Sequence, residues 1–237
     1  MTRLTLAIPS KGRLKEQTEE WLGARGVRLV QDGGARGYAA RLDSAPEVEV
    51  RLASASEIAH GLIAGDIHLG VTGEDLLREY AADLDARVVL AAGLGFGFAD
   101  LVIAAPERWA DVTTVADLAE VAAAWRADTG RRLRVATKFV RLVSTFLTQG
   151  GVADFRIVES LSATEGAPAA GLAEIVADIT TTGSTLRDNH LKILADGVVL
   201  RSQATLACAR AADWSAQARA AAASLAAKLG LDGLAPA

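Results

Sequence analysis

The segment Asp-Ile-Thr-Thr-Thr-Gly-Ser-Thr-Leu, residues 178–186, is the stretch around which the rest of the chain is organised. The residues before it, 174–177, have the sequence Glu-Ile-Val-Ala, which is typical of the end of a β-strand. Leu186 begins a new structured segment. The nine residues therefore predict a tight loop at the carboxyl end of a strand, rich in threonine and serine and carrying one acid and one glycine.

Hydroxyl groups and a flexible glycine backbone allow such a loop to direct several hydrogen-bond donors at one phosphate. The acid at the strand end, Asp178, could hold ribose hydroxyls or a magnesium ion. We predict these phosphate-binding residues: Thr180, Thr181, Thr182, Gly183, Ser184 and Thr185. The alternative is a turn whose hydroxyls bond only to its own backbone. No glycine-rich nucleotide motif of the usual kind accompanies the loop.

Length and composition limit the class of protein. A chain of 237 residues with 51% hydrophobic content can bury a sizeable core as one large domain or two small ones. The net charge of −4 gives no electrostatic signature of nucleic-acid binding. Cys208 is the single cysteine, which excludes a disulfide framework and a cysteine metal cluster. With no signal-peptide pattern and no apolar run long enough to span a bilayer, we expect a soluble, cytoplasmic protein without membrane contacts.

Alternating strand and helix patterns predict an α/β fold with a parallel sheet. Strands are expected at residues 4–8, 48–52 and 67–71, and Ser54 to Glu57 has the sequence of a capping box that opens a helix. A second capping box is expected at residues 72–75. Ligands gather at the carboxyl ends of strands in such sheets, which places Lys11, Glu74 and Asp75 near one edge. Simple helix capping is the alternative for the two acids.

Two basic side chains, Lys11 and Arg13, lie in the first strand-to-helix loop. The helix dipole disfavours cations at a helix N-terminus, and a bound anion would resolve that conflict. We therefore predict an anion-binding role, and the alternative is a solvated basic turn. Arg36 lies in the glycine-rich stretch 31–41, which is either a simple connection or a mobile segment that covers a substrate.

The second half of the chain repeats the α/β pattern. Thr114 to Asp117 is expected to cap a helix that Gly130 ends, residues 134–138 form a strand ending in Lys138, and Ser162 to Glu165 cap a short helix. We predict two lobes, residues 1–90 plus 187–237 and residues 91–186. The histidines are far apart without metal-ligand spacing, and we interpret each as structural: His60, His68 and His190.

Several motifs together resemble the ATP phosphoribosyltransferase family, which opens histidine biosynthesis. The central motif consists of Glu165, Gly171, Ala173, Val176, Asp178, Ile179, Thr182, Gly183, Thr185 and Leu186. The segments 7–14, 70–77, 94–97 and 134–138 match other family motifs in the expected order. The resemblance therefore extends over nearly the whole chain.

The resemblance implies a two-lobed fold of the type II periplasmic-binding-protein kind, with the active site in the interlobe cleft. It implies a reaction that joins N1 of the ATP adenine to C1 of phosphoribosyl pyrophosphate, with Mg²⁺ required and pyrophosphate released. Lys11, Arg13 and Arg36 become candidates for catalysis. We call residues 180–185 the threonine loop. To this loop the implied substrate-binding set adds Glu74, Asp75, Lys138, Glu165 and Asp178, and the magnesium ligands stay unknown.

Two departures from the family pattern stand out. Family members often carry an arginine where this chain has Ser54, and Arg51 lies nearby. The second departure is that the sequence ends at Ala237 without the C-terminal regulatory domain of the long-form enzymes, so it resembles the short form. That resemblance implies dimers of the catalytic chain and a hetero-oligomer with a regulatory subunit like histidyl-tRNA synthetase. The competing hypothesis is a two-lobed domain that binds or senses a small molecule without catalysis.

Overall fold

The computed structural model describes residues 3–31, 39–160 and 163–236. The chain forms two compact units, which we call unit 1 (Met1–Gly97 with Gln203–Ala237) and unit 2 (Phe98–Ser202). The lobes predicted from the sequence divide the chain at residues 90 and 186. Unit 2 therefore begins seven residues later than the predicted second lobe and ends sixteen residues later.

Unit 1 is built on a seven-stranded mixed sheet flanked by helices. Its strands are β1 (Leu4–Pro9), β2 (Leu29–Gln31), β3 (Ala39–Leu42), β4 (Val48–Ala53), β5 (Leu69–Gly73), β6 (Val88–Gly93) and β12 (Ala204–Ala209), in the order β2-β3-β4-β1-β5-β12-β6. The central strands β4, β1 and β5 are parallel, and β12 is antiparallel to β5 and β6. The helices are α1 (Gly12–Gly23), α2 (Ala55–Ala64), α3 (Glu74–Tyr80), α4 (Leu84–Arg87) and α8 (Ala216–Leu229).

Unit 2 is built on a five-stranded mixed sheet. Its strands are β7 (Ala99–Pro106), β8 (Leu133–Thr137), β9 (Phe155–Glu159), β10 (Ile175–Thr180) and β11 (Leu191–Ser202), in the order β11-β7-β10-β8-β9. Strands β10, β8 and β9 are parallel, and β7 is antiparallel to β10 and β11. The helices are α5 (Val115–Thr129), α6 (Val140–Gln149) and α7 (Ser184–Asp188), with a 3-10 turn at Thr164–Gly166.

Burial follows the sequence pattern of each element. Every residue of β1 is buried, as expected for a strand at the centre of a sheet covered on both faces. The alanine-rich helix α8 packs Ala218, Leu225 and Leu229 into the core of unit 1. Small side chains allow this helix to approach the sheet closely. No helix among the described residues is long and apolar enough to cross a membrane.

The helix ends confirm two of the predicted caps and correct a third, and the cap predicted at Ser162 lies outside the described residues. Ser54 and Glu57 form a reciprocal capping box on α2, and Thr114 and Asp117 form one on α5. The capping box predicted at residues 72–75 is wrong. Thr72 is buried in β5, where its hydroxyl donates to the carbonyl of Ala55, and the helix begins at Glu74 after Gly73.

Candidate functional site

The threonine loop lies at the edge of the unit 2 sheet where three parallel strands end. Strand β10 ends at Thr180, its neighbour β8 at Thr137 and the outer strand β9 at Glu159. We call this side the loop edge. The sequence predicted that the loop begins at Asp178, but β10 continues through Thr180 because it pairs with β7 up to that residue.

Hydrogen bonds within the loop fix its shape. The backbone N–H of Gly183 donates to Thr180 Oγ1 at 2.8 Å, and Gly183 itself has a φ of +71°, which favours glycine. The hydroxyl of Thr181 donates to the carbonyl of Phe98 at 3.1 Å, and Thr182 Oγ1 lies 3.0 Å from Ser184 Oγ. The hydroxyls therefore serve partly as the self-bonding turn that was the alternative interpretation.

The loop also presents donors that its own hydrogen bonds do not use. Among the described residues, the backbone N–H groups of Thr181, Thr182 and Thr185 have no hydrogen-bond partner. The side chains of Thr182, Ser184 and Thr185 are exposed, whereas Leu186 is buried and anchors α7 against the sheet. Amides and hydroxyls that converge on one exposed bend can hold a phosphate group.

The charges of two other residues predicted for the site, Lys138 and Glu165, act on Asp178. Its carboxylate is half-buried and accepts the backbone N–H of Ile179 at 2.8 Å. Burial raises the pKa of the Asp178 carboxyl, and the charge of Glu165 adds to the rise, while the Ile179 N–H and the charge of Lys138 oppose it. The structure thus brings Asp178, Lys138 and Glu165 into one electrostatic neighbourhood at the loop edge.

The loop edge also contains hydroxyl residues that the sequence analysis did not select. Thr137 is buried at the end of β8, and its carbonyl accepts the N–H of Ser160 at 3.0 Å. Thr164 Oγ1 lies 3.2 Å from Ser160 Oγ. The backbone bond joins the ends of the neighbouring strands β9 and β8, and the hydroxyl pair joins the end of β9 to the 3-10 turn. The signal that was available for Thr137 is that it directly precedes Lys138, the last residue of a predicted strand.

Unit 1 has its own strand-end edge, where Lys11 and Arg13 lie. Strands β4, β1 and β5 are parallel neighbours, and the N–H of Ser10 donates to the carbonyl of Ala53 at 2.8 Å. Lys11 is the N-cap of α1 and forms no capping bond, and the first turn of α1 contains no acid. Both side chains are exposed and, within residues 3–31, 39–160 and 163–236, neither forms a hydrogen bond or ion pair.

The two acids at the start of α3 have structural surroundings of their own. Glu74 Oε1 accepts from Arg78 Nε at 2.6 Å on the same helix. Asp75 is 7% exposed and lies over Gly73, where an added Cβ would overlap its Oδ1. The N-cap residue of α3 is Gly73, which has no side chain to form a capping bond.

Most of the remaining positions singled out in the sequence form hydrogen bonds within the protein, and one of them cannot be placed. Arg36 lies outside the described residues. Ser54 is committed to its capping box, and Arg51 Nε donates to Glu49 Oε1 at 2.8 Å. His68 is buried, with its ring nitrogens 2.8 Å from Thr5 Oγ1 and 2.9 Å from the carbonyl of Asp213, which is the structural role predicted for it.

Comparison with known proteins identifies the family. The family model of HisG, ATP phosphoribosyltransferase, matches residues 54–230. A protein named ATP phosphoribosyltransferase from Caulobacter vibrioides is 60% identical over 216 residues, covering 91% of this chain and 68% of the relative. One of the same name from Afipia carboxidovorans is 53% identical over 218 residues, covering 92% of this chain and 67% of the relative. The chain thus spans about two thirds of the length of these relatives.

Solved structures show the same fold. The ATP phosphoribosyl transferase (HisG:HisZ) complex from Thermotoga maritima matches with a TM-score of 0.70 at 23% identity, covering 96% of each chain. The periplasmic aliphatic sulphonate binding protein SsuA from Escherichia coli matches with a TM-score of 0.53 at 18% identity, covering 95% of this chain and 70% of that one. These likenesses confirm the predicted α/β fold of the periplasmic-binding-protein kind. The sequence matches show that the chain belongs to the ATP phosphoribosyltransferase family, a family of pentosyltransferases that act in histidine biosynthesis.

Proposed function

We propose that the threonine loop of unit 2 holds the 5′-phosphate of phosphoribosyl pyrophosphate during the transfer to ATP. The observation that carries this proposal is the set of unpartnered amides at Thr181, Thr182 and Thr185 around a bend already shaped by Gly183. The family membership supports the transferase function, and gives no support to the alternative of a sensor domain without catalysis.

The chemistry explains why a phosphate grip matters more than a strong base. Departure of pyrophosphate from C1 leaves a ribosyl centre with carbocation character, and N1 of adenine attacks it with a lone pair that it already has. The protein must therefore hold the sugar phosphate still and stabilise charge on the leaving group. Neither task requires a nucleophilic side chain.

The remaining residues take roles that follow from their charge. Asp178 accepts hydrogen bonds from the ribose hydroxyls, and the charge of Lys138 favours its ionised form. Lys11 and Arg13 neutralise the leaving pyrophosphate. Arg36 contributes to ATP binding or to leaving-group charge, and Glu74, Asp75 and Glu165 complete the substrate-binding set.

Magnesium is part of the proposal. The described residues contain no group of three or more His, Cys, Asp or Glu side chains arranged around one metal. Mg²⁺ needs only one or two protein carboxylates where substrate phosphates supply the other oxygens, and Asp178 is the carboxylate next to the loop. The bound ion would neutralise the departing pyrophosphate.

The partner protein is also a proposal. The Thermotoga maritima structure, whose fold this chain shares, is a HisG:HisZ complex. We propose that this chain forms catalytic dimers bound to a HisZ-like regulatory subunit in the cytoplasm. Co-expression with such a subunit, followed by size-exclusion chromatography, tests this: a complex supports it, and separate elution contradicts it.

An absorbance assay for phosphoribosyl-ATP tests the function itself. The protein receives ATP, phosphoribosyl pyrophosphate and Mg²⁺, with pyrophosphatase to remove one product. Thr182→Val should lower kcat/KM for phosphoribosyl pyrophosphate about 10- to 100-fold, because a hydrogen bond to a charged group contributes about 1.5–3 kcal/mol. Thr148→Val, at an exposed position on α6, is the control and should behave as wild type. Equal activity of the two variants would contradict the proposal.

A further inference from the structure

Unit 2 has a cleft of about 360 Å³ on the side of its sheet opposite the loop edge. It lies where β8, β9 and β10 begin, whereas the threonine loop lies where β10 ends. We call it the arginine cleft because its charged lining consists of Arg126, Arg131, Arg132, Arg134, Arg156 and Glu174. Five cations and one anion around one small volume contrast with the net charge of −4 for the whole chain.

Internal partners account for only part of this charge. Glu174 pairs with Arg134 at 2.6 Å, and its other oxygen accepts the backbone N–H of Arg134, also at 2.6 Å. Arg126 lies in the last turn of α5, where the helix dipole favours a cation. These two arginines therefore have structural reasons to be where they are.

Three arginines of the cleft have no such reason. Arg131, Arg132 and Arg156 are exposed, and their side chains form no hydrogen bond or ion pair within the part of the chain that the structure describes. Arg156 lies directly opposite Arg134 in the parallel pairing of β9 with β8. Because Glu174 already pairs with Arg134, the uncompensated charge at these facing positions is that of Arg156, and a bound anion would neutralise it.

We propose that the arginine cleft binds a small oligophosphate, either free or as the polyphosphate tail of a nucleotide. A guanidinium group can donate two parallel hydrogen bonds to the oxygens of one phosphate. Several guanidinium groups around one concave volume therefore suit an anion with several phosphates. The volume lies within the range of small-molecule sites, about 300–1,000 Å³. A long polyanion such as RNA is disfavoured because it would meet the repulsion of an acidic chain beyond the cleft.

The arginine cleft is a second site, distinct from the threonine loop. Strand β8 has five residues, Leu133–Thr137, which at about 3.3 Å per residue separate its two ends by roughly 16 Å. Lys138 follows one end of this strand and Arg132 precedes the other. One small anion cannot contact both groups, so occupancy of the two sites can be measured independently.

Titration calorimetry in phosphate-free buffer tests the proposal, with tripolyphosphate and GTP as separate probes. Wild type should bind tripolyphosphate, and Arg132→Gln/Arg156→Gln should raise the dissociation constant at least about tenfold, since two charge-assisted contacts are lost. Arg201→Gln, which changes an exposed arginine of β11, is the matched control and should bind as wild type does. Thermal melts confirm that each variant is folded, and Arg131→Gln provides a single exposed substitution for the same comparison.

The outcomes separate this site from the proposed function. Retained binding in Thr182→Val together with lost binding in Arg132→Gln/Arg156→Gln supports the cleft, and the double variant should keep wild-type transferase activity without probe. If only Thr182→Val lost binding of the probe, the probe would occupy the threonine loop alone, and this would overturn the proposal. Tight binding of a 20-nucleotide RNA with no binding of either small probe would also overturn the proposal. Stronger binding of GTP than of tripolyphosphate would identify a nucleotide, with the half-buried Trp125 in the cleft wall as the contact for the base.

Discussion

Replacement of Gly183 by alanine tests whether the bend of the threonine loop is what binds the sugar phosphate. Gly183 has a φ of +71°, and its N–H donates to Thr180 Oγ1. An added Cβ would lie 3.0 Å from Arg187 Nη1 and 3.4 Å from Ile193 Cδ1. The arginine contact is with the end of a flexible side chain and costs little, so the backbone conformation sets the penalty, about 1–2 kcal/mol.

Gly151→Ala is a matched control for this substitution. Gly151 has a φ of +81° in the same unit, and an added Cβ there would meet nothing within 4 Å. Both variants should lose about 1–2 kcal/mol of unfolding free energy, which corresponds to about 2–4 °C in melting temperature per kcal/mol. Only Gly183→Ala should also change substrate binding, because relief of its strain moves the amides that we propose bind phosphate.

Steady-state kinetics with phosphoribosyl pyrophosphate as the varied substrate provide the measurement. We expect the KM of Gly183→Ala to rise about 5- to 30-fold, the equilibrium equivalent of one to two kcal/mol. The KM of Gly151→Ala should not change. If both variants show the same KM while both melt earlier, the loop geometry does not determine binding and the reasoning is refuted.

Three further predictions concern other groups. Because burial raises the pKa of Asp178, its negative charge lowers the stability of the folded protein at neutral pH. Asp178→Asn should therefore have a higher melting temperature than wild type, by a margin that shrinks as the pH falls through that pKa, and a lower kcat/KM. An unchanged melting temperature would contradict the burial argument. Burial alone would raise the pKa of Glu174, but its contacts with Arg134 lower that pKa overall. Glu174→Gln should therefore reduce the unfolding free energy measured in urea by about 1–3 kcal/mol at neutral pH, and by progressively less in acid. A loss that does not depend on pH would argue against the ion pair. Burial raises the pKa of the Cys208 thiol to about 12, so iodoacetamide at pH 8 should label it only after unfolding, as mass spectrometry would show.

Local signals in the sequence predicted the elements well where a few neighbouring residues determine the structure. The capping boxes at Ser54 and Thr114 and the end of α5 at Gly130 are cases of this kind. The box predicted at Thr72 failed because that hydroxyl is used inside β5, where it bonds to Ala55. A Thr-x-x-Asp sequence can cap a helix only if the preceding strand ends before the threonine. The position of that strand end depends on pairing with the neighbouring strands of the sheet.

Long-range pairing explains what the sequence did not show. The strand β10 extends to Thr180 because β7 pairs with it, and β11 belongs to unit 2 because it pairs with β7 along most of its length. The loop residues were predicted as a phosphate site from their types, since hydroxyls and glycine at a strand end are a local signal, and their role stays a prediction. The arginine cleft was missed because Arg132 and Arg156 are 24 residues apart and only the register of β8 with β9 brings them to one place.

Calorimetric titration of the protein with phosphoribosyl pyrophosphate and Mg²⁺ tests the central claim most directly. Wild type and Thr148→Val should bind the sugar phosphate with the same affinity. Thr182→Val should bind it about 10- to 100-fold more weakly, because it loses a hydroxyl of the loop that also carries the unpartnered amides of Thr181, Thr182 and Thr185. Equal affinity of all three proteins would contradict the assignment of the loop as the phosphoribosyl site.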